Sequence, residues 1–348
     1  MQKLIFTNDV NPALDALISE LNPDRIALLC DSNTRFIAAE LAPAGADIIE
    51  ILPGDEHKDL EQLSRVWQHL SQSGFTRRSL MVNVGGGMVT DLGGFAAATF
   101  KRGIRFINVP TTLLGAVDAA VGGKTGINFL DLKNEIGAFQ EAVAVVISTR
   151  FFASLPPEEL RSGFAEMIKH GLISSAETYR RLIDFDICRA NLAELLPLLE
   201  ESVNVKREIV AQDPREQGLR KALNLGHTAG HAFESLALER NHPVPHGVAV
   251  AHGLLVEMIL SHMQAGFPSA ELYRYAGLLK EAYADVPAIS CQDYPDLLRL
   301  MAHDKKNTIP GQINFTLLGA PGAPLIDQTA TPEAIQTALD LYRDLLNQ

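Results

Sequence analysis

The sequence predicts two unlike halves, an α/β domain on a parallel sheet followed by a mainly α-helical domain. Short strand-like runs alternate with helical stretches through residues 1–152, helical periodicity takes over after LPPEE (155–159), and one glycine-rich turn sits between a strand and a helix. Strands that alternate with helices imply a parallel sheet covered on both faces. The change of pattern beside a proline pair places the boundary between domains 1–152 and 153–348.

The strand-like runs, in order, are KLIFT (3–7), RIALLC (25–30), DIIEIL (47–52), SLMVNV (79–84), RFINVP (105–110) and VAVVIS (143–148). Helical periodicity between them is clearest in DLEQLSRVWQHL (59–70) and around Asp91–Phe100. From Glu158 to about Leu300 the pattern is helical. QINFTLLG (312–319) reads as a late strand, and Pro332 to Leu346 as a closing helix.

Composition narrows the function classes. The chain has 348 residues, 47% of them hydrophobic and 21% charged, which fits an ordinary globular protein. Its net charge of −12 argues against nucleic acid or anionic membrane as a partner, although a few clustered lysines can still bind a small anion. Cys30, Cys188 and Cys291 are isolated, so neither a disulfide framework nor a cysteine metal site is expected, and a reducing cytoplasm is. The N-terminus has no signal-peptide pattern, and no run approaching ~18 apolar residues is read.

VNVGGGMVTDLGGF (82–95) follows a strand and opens a helix. Glycines there let the backbone approach a bound group, and free N–H groups at a helix start favour anions. The GxGxxG fingerprint is absent, so the turn reads either as pyrophosphate contact in a Rossmann-like nucleotide-binding domain or as a plain tight turn. In PTTLLGAVDAAVGGKTGIN (110–128), Asp118 lies in a small-residue run and would be costly to bury without a partner. Lys124 is one candidate, and a structural ion pair and a chemical role both stay open.

In the second half, GFAEMIKHGLIS (163–174) reads as a helix with an apolar stripe of Phe164, Ile168 and Leu172. Glu166, Lys169 and His170 fall on another face, which by itself reads as solvated. Lys206 occupies a place in the stripe Leu199, Val203, Lys206, Val210, so it either snorkels to the surface or lines an anion pocket. NLGHTAGHAFE (224–234) spaces His227 and His231 four residues apart, and five of the ten histidines fall within 227–252. If the helix extends back to Asn224, that residue shares their face. Such density beside a carboxylate helix points to a metal site, and with HExxH absent a zinc protease is not expected.

Taken together the motifs resemble the 3-dehydroquinate synthase family. GGG-x-x-x-D, PTTLL-x-x-VD, GGK, KN, AE-x-x-K, LR-x-x-x-N-x-GH-x-x-GH, HG and DKKN occur in the family's order across nearly the whole chain. The resemblance implies an NAD-binding α/β domain and a helical metal-binding domain. It implies a lyase of the shikimate pathway, on the route to chorismate and the aromatic amino acids. Such an enzyme converts 3-deoxy-D-arabino-heptulosonate 7-phosphate to 3-dehydroquinate and phosphate with catalytic NAD and a divalent metal, Zn, Co or another.

Carried over residue by residue, the resemblance implies Glu166, His227 and His246 as metal ligands, with His231 facing the substrate near its phosphate. Lys124, Asn134, Lys305 and Lys306 fall on the phosphate side. Asp118, Lys169, Lys206, Glu216, Arg220 and Asn224 match groups that grip the hydroxyl and carboxylate end. Asp31 corresponds to an adenosine-ribose contact, and Gly86, Gly87, Asp91, Thr111, Thr112 and Lys133 to the pyrophosphate and nicotinamide half. Asp55, Lys58 and Ser154 complete the cofactor set, with Asp55 and Ser154 standing where the family commonly has Glu and Thr. Arg102 matches an arginine that a neighbouring subunit supplies, which implies a homodimer. Glycerol dehydrogenase-type enzymes and sedoheptulose 7-phosphate cyclases are the nearest rivals, and the clustered lysines with Arg220 and Asn224 favour a phosphorylated sugar acid over both.

Overall fold

The computed structural model describes residues 2–130, 132–284, 288–303 and 312–347. The chain divides into two compact units, Met1–Leu155 with Leu192–Val203, and Pro156–Asn191 with Asn204–Gln348.

The first unit runs β1 (Lys3–Phe6), α1 (Val10–Leu21), β2 (Ile26–Asp31), α2 (Arg35–Leu41), β3 (Asp47–Ile51), α3 (Leu60–Gln72), β4 (Leu80–Gly85), α4 (Gly87–Thr99), β5 (Arg105–Pro110), β6 (Lys124–Phe129), β7 (Leu132–Phe139) and β8 (Ala144–Ile147). The sheet has the order β1-β8-β5-β4-β2-β3, and its pairings are all parallel. Every residue of β4 and β8 is buried, as apolar strands covered on both faces require. Helix α3 starts where the Asp59 carboxylate accepts the Gln62 N–H at 2.9 Å.

All six strand-like runs of the sequence form strands of this sheet. The β6–β7 hairpin was not foreseen. It pairs antiparallel outside the sheet, and Leu132, Ile136 and Phe139 stay exposed, so β7 lacks the buried alternation that marks a strand, while β6 buries three consecutive residues, Thr125–Ile127, rather than alternate ones.

The chain moves from β2 to β3 on one side and then returns to β4 on the other. The carboxyl ends of β2 and β4 therefore flank a topological switch point, where open parallel sheets bind ligands.

The second unit contains α5 (Pro157–Ser174), α6 (Ala176–Ile183), the end of α7 (Leu192–Gln212), α8 (His227–Glu239), α9 (His246–Ala265), α10 (Ser269–Ala282), α11 (Tyr294–Ala302), β9 (Ile313–Leu318), β10 (Pro324–Ala330) and α12 (Pro332–Leu346). Helix α9 is its core and packs against α5, α8, α10, α12 and β9. Among the described residues α9 alone is long and apolar enough to cross a membrane, which corrects the expectation that no such run exists. With 78% of that window buried, α9 has the environment of a core helix. The closing helix α12 begins at Pro332, where Thr331 Oγ1 accepts the Ala334 N–H, as the sequence predicts.

A buried polar network pins α12 to α9. His252 Nε2 lies 2.9 Å from the Tyr283 carbonyl, which can only accept, so Nε2 carries the proton. Nδ1 then accepts the Tyr342 hydroxyl at 2.7 Å. Burial holds this imidazole neutral and pushes its pKa down to about 4.

Candidate active site

In the first unit, candidate cofactor residues gather at the switch point. Asp31 closes β2, and its Oδ1 accepts both the backbone N–H and the hydroxyl of Thr34, each at 2.9 Å. Thr34 Oγ1 also lies 2.9 Å from the Val84 carbonyl, so the β2 turn is tied to β4. After β4, Gly86 precedes α4 and Gly87 opens it. Gly86 lies against Thr112, where a Cβ would sit 3.1 Å from Thr112 Cγ2, and the buried Thr111 donates its N–H to the Gly85 carbonyl at 2.9 Å. The result is a backbone-lined helix start with small neighbours, suited to an anionic ligand.

Beside it, the buried Lys58 meets Asp55 at 3.0 Å and Asp91 at 3.3 Å. Burial pushes Asp91 up to about 6 against the pull of Lys58, with Asp118 and Asp55 adding to the rise. Asp55 is held below its ordinary value: its burial would raise it, but Lys58, Lys133 and the Asn128 amide outweigh that. Lys133 is the exposed partner, 3.9 Å from Asp55.

Three candidate residues adopt left-handed backbone, Arg102 at φ 67°, Asn134 at 53° and Glu216 at 58°. Such conformations cost energy in non-glycine residues and persist only where surrounding structure fixes them. Asn134 donates its N–H to Asn128 Oδ1 at 2.9 Å, and Arg102 stands exposed after Lys101, itself left-handed. Asp118 sits half-buried in the turn Gly115–Ala119, Lys124 is exposed at the start of β6, and Ser154 is exposed, its hydroxyl 3.3 Å from the Phe151 carbonyl. Lys305 and Lys306 lie outside the described residues.

In the second unit the polar face of α5 is not solvated, contrary to the reading of that helix alone. Glu166 and His170 are fully buried and Lys169 is 1% exposed. Periodicity could not reveal this, because α9 covers the face from elsewhere in the chain. The Lys169 ammonium lies against Glu166 Oε2. Glu166 Oε1 accepts no hydrogen bond among the described residues, and instead it faces two imidazoles, 3.5 Å from His227 Nε2 and 3.8 Å from His246 Nε2.

Both imidazoles are oriented from behind. His227 Nδ1 is 3.1 Å from the Leu225 carbonyl, and His246 Nδ1 is 3.0 Å from Glu234 Oε2. Those acceptors place the proton on Nδ1 and the lone pair on Nε2, toward Glu166. Tetrahedral ligands at about 2.1 Å from an ion stand roughly 3.4 Å apart, close to the separations found. Ring nitrogens of His227, His231 and His246 all lie within 4.8 Å of one another, so His231 stands close enough to be a further donor. The donor set suits a borderline divalent cation.

Helix α8 does not reach Asn224, contrary to the extension that the sequence allowed. It begins at His227 after left-handed Gly226, and Asn224 ends the preceding 3-10 turn, Leu219–Asn224. That turn brings Asn224 Nδ2 within 2.8 Å of Glu216 Oε1, while the buried Arg220 donates to the Pro214 carbonyl at 2.8 Å. Lys206 is 6% exposed on α7, so it does not snorkel to solvent.

Three supporting residues escaped the sequence reading. Glu234 orients His246, Asp213 accepts backbone N–H bonds from Gln217, Gly218 and Arg220, and Ser162 Oγ accepts the Gly247 N–H at 3.0 Å. Glu234 carried a signal, since it lies seven residues after His227 on the same helix face.

Comparisons with known proteins point to one family. The family description "3-dehydroquinate synthase N-terminal" matches residues 48–162, and "3-dehydroquinate synthase C-terminal" matches 163–307. A 3-dehydroquinate synthase of Parabacteroides distasonis is 49% identical over 350 residues, covering 99% of this chain and 98% of that one. Among solved structures, 2-deoxy-scyllo-inosose synthase, complexed with carbaglucose-6-phosphate, NAD+ and Co2+, aligns with TM-score 0.86 at 24% identity over 97% of this chain and 95% of its own. The 2-epi-5-epi-valiolone synthase of Streptomyces hygroscopicus subsp. jinggangensis 5008, with NAD+ and Zn2+ bound, aligns with TM-score 0.82 at 24% identity, covering 99% of this chain and 97% of that one. At that identity the two structures share the fold.

Proposed function

The chain belongs to the 3-dehydroquinate synthase family, and on that premise we propose that it catalyses the reaction after which the family is named. The substrate is 3-deoxy-D-arabino-heptulosonate 7-phosphate, and the products are 3-dehydroquinate and inorganic phosphate. The observation that carries the reading is the buried Glu166 carboxylate with Oε1 turned to two pre-oriented imidazoles, in a chain 49% identical to a named synthase.

Glu166, His227 and His246 would hold a divalent metal, and the turn of Asp31, Gly86, Gly87, Thr111 and Thr112 would hold NAD, with Asp55, Lys58, Asp91, Lys133 and Ser154 around it. Bound there, the two groups supply Lewis-acid polarisation of a hydroxyl and reversible storage of a hydride. In the substrate, the C5 hydroxyl becomes a ketone, which acidifies the C–H on the adjacent C6. An oxygen of the substrate's own phosphate takes that proton, the C6–C7 double bond forms and phosphate leaves from C7. The ketone is reduced again by the same hydride, the ring opens and a carbocycle closes, so NAD is unchanged over the cycle.

The side chains then position and neutralise charge. Lys206 and Arg220, buried cations, serve the carboxylate end together with Asn224, whose amide is oriented by Glu216. Lys169 serves a double purpose, balancing Glu166 and approaching the reacting hydroxyls, and Asp118 serves the hydroxyls as well. His231, Lys124, Asn134, Lys305 and Lys306 serve the phosphate. Domain 1–152 binds the cofactor and domain 153–348 the metal and substrate. The enzyme acts in the cytoplasm as a homodimer, to which each subunit lends Arg102.

Purified protein with catalytic NAD and Co2+ or Zn2+ is expected to release phosphate from the heptulosonate phosphate without NADH accumulating. Stoichiometric NADH would replace this reading with a dehydrogenase. Arg102→Ala mixed with Lys206→Ala should regain activity that neither variant has alone, and no recovery would remove Arg102 from a partner's site.

A further inference from the structure

We propose that Glu257, an acidic residue within the apolar run LLVEMIL of α9, is the positioning residue that fixes His227 in the metal site. The inference rests on the reading of Glu166, His227 and His246 as metal ligands.

The first N–H groups of a helix have no partner within the helix, and a Ser, Thr, Asp or Asn at the N-cap ordinarily supplies one. Helix α8 cannot use that device. Its N-cap, Gly226, is left-handed at φ 80°, and a Cβ there would lie 2.7 Å from the Leu254 side chain. No ordinary capping residue fits.

Glu257 caps α8 from a different helix. Its Oε2 accepts the Gly226 N–H at 2.6 Å, and its Oε1 accepts those of Thr228 at 3.1 Å and Ala229 at 3.2 Å. The three donors bracket His227 on both sides along the chain. Glu257 is fully buried, so these bonds are made in a low-dielectric setting where a carboxylate at the positive end of a helix is held strongly.

Backbone contact completes the clamp. At Gly253, also on α9, a Cβ would come within 2.1 Å of the Gly226 carbonyl oxygen. The same turn carries the Leu225 carbonyl that sets the His227 tautomer. Shifting the turn thus moves both the backbone of His227 and the acceptor that aims its Nε2. A ligand must be held to within about 0.5 Å for its metal, so loosening the turn weakens binding even with every ligand present. Outer partners of metal ligands typically contribute 10–100-fold in affinity.

Glu257→Gln keeps the side-chain volume but sets an amide N–H against a backbone N–H, so at least one cap bond is lost. Co2+ is added to metal-free preparations of the unaltered protein, Glu257→Gln, Glu257→Asp and Tyr275→Phe, well below their melting temperatures. Tyr275→Phe is the control for general destabilisation, since it removes a hydrogen bond to the Ala251 carbonyl on the same α9. Glu257→Gln should weaken Co2+ binding about tenfold and alter the visible d–d absorption. It should also speed hydrogen exchange at the Gly226, Thr228 and Ala229 amides, whereas Tyr275→Phe should change none of these. Should Glu257→Gln not fold, Glu257→Asp, with its carboxylate withdrawn by one methylene, is read by the same criteria.

Unchanged Co2+ affinity and spectrum in the folded Glu257 variants would overturn the positioning role while leaving the metal site standing. Failure of the unaltered protein to take up one Co2+ per chain would instead overturn the metal reading itself.

Discussion

Lys58 and Lys169 are both buried lysines set beside carboxylates, one in each unit, and their surroundings differ in kind. Lys58 divides itself between Asp55 on a short turn and Asp91 on α4, and burial still pushes Asp91 up to about 6. Lys169 and Glu166 stand one turn apart on a single helix, both within 1% of complete burial, and two imidazoles meet the other carboxylate oxygen. A cluster assembled from turns can shift its members separately. One assembled on packed helices cannot, because moving any member opens the core. The helix-borne cluster should therefore be intolerant of change and the turn-borne cluster forgiving.

The largest effect is expected at the imidazoles. His227→Ala or His246→Ala should weaken metal binding at least about 100-fold, read by metal content after dialysis. His231→Ala should keep its metal and lose turnover. Equal metal loss in all three variants would make His231 a ligand and remove its assignment to the substrate side.

Next comes Lys169→Met, which leaves Glu166 buried without its cation. In metal-free protein it should cost about 3–5 kcal/mol in urea unfolding. A loss below about 1 kcal/mol would break the contrast between the clusters.

His252 tests whether the helical unit fixes its other polar groups as firmly. Its folded pKa is about 4 against an ordinary 6.5. The neutral form is favoured by folding, so this stability is present above pH 6.5 and is lost as pH falls through 6.5 toward 4. The loss should reach about 3 kcal/mol, and His252→Gln should flatten that part of the pH profile. An unchanged profile would show that His252 ionises without strain.

The smallest effect is expected in the turn-borne cluster. Asp55→Glu should alter NAD affinity by less than about tenfold, since Asp55 is 43% exposed and can readjust to Lys58 and Lys133. A larger change, measured by titration with NADH fluorescence, would make that turn as rigid as the helix.

The same contrast explains what could be read beforehand. Strand runs such as RIALLC and SLMVNV carry their burial in local composition, and GGG after a strand announces a helix start by backbone freedom alone. The face of Glu166, Lys169 and His170 gave no such sign, because α9 buries it from ~80 residues further along the chain, beyond the reach of any periodicity. The family's motif order singled out Glu166 and Lys169 where their own helix pattern did not, and it gave no sign of His170. The start of α8, which the sequence leaves open, is hidden for a similar reason. HTAGHAFE has helical spacing, yet the start is set by Gly226 seated on Leu254. Exposed β7 escaped because alternation presupposes a buried face that this strand does not have.

The cap on α8 also bears on protein engineering. NLGHTAGH reads like a cassette of two histidines on a helix, which a designer could graft onto another scaffold. The acceptor for its first amides, however, lies 31 residues away from Gly226 in sequence, on the helix against which it packs. Copied alone, the octapeptide would arrive with an uncapped start and a left-handed glycine that nothing seats. The transferable unit is the α8–α9 pair with its acidic residue, and a graft of anything shorter should carry the histidines without their aim.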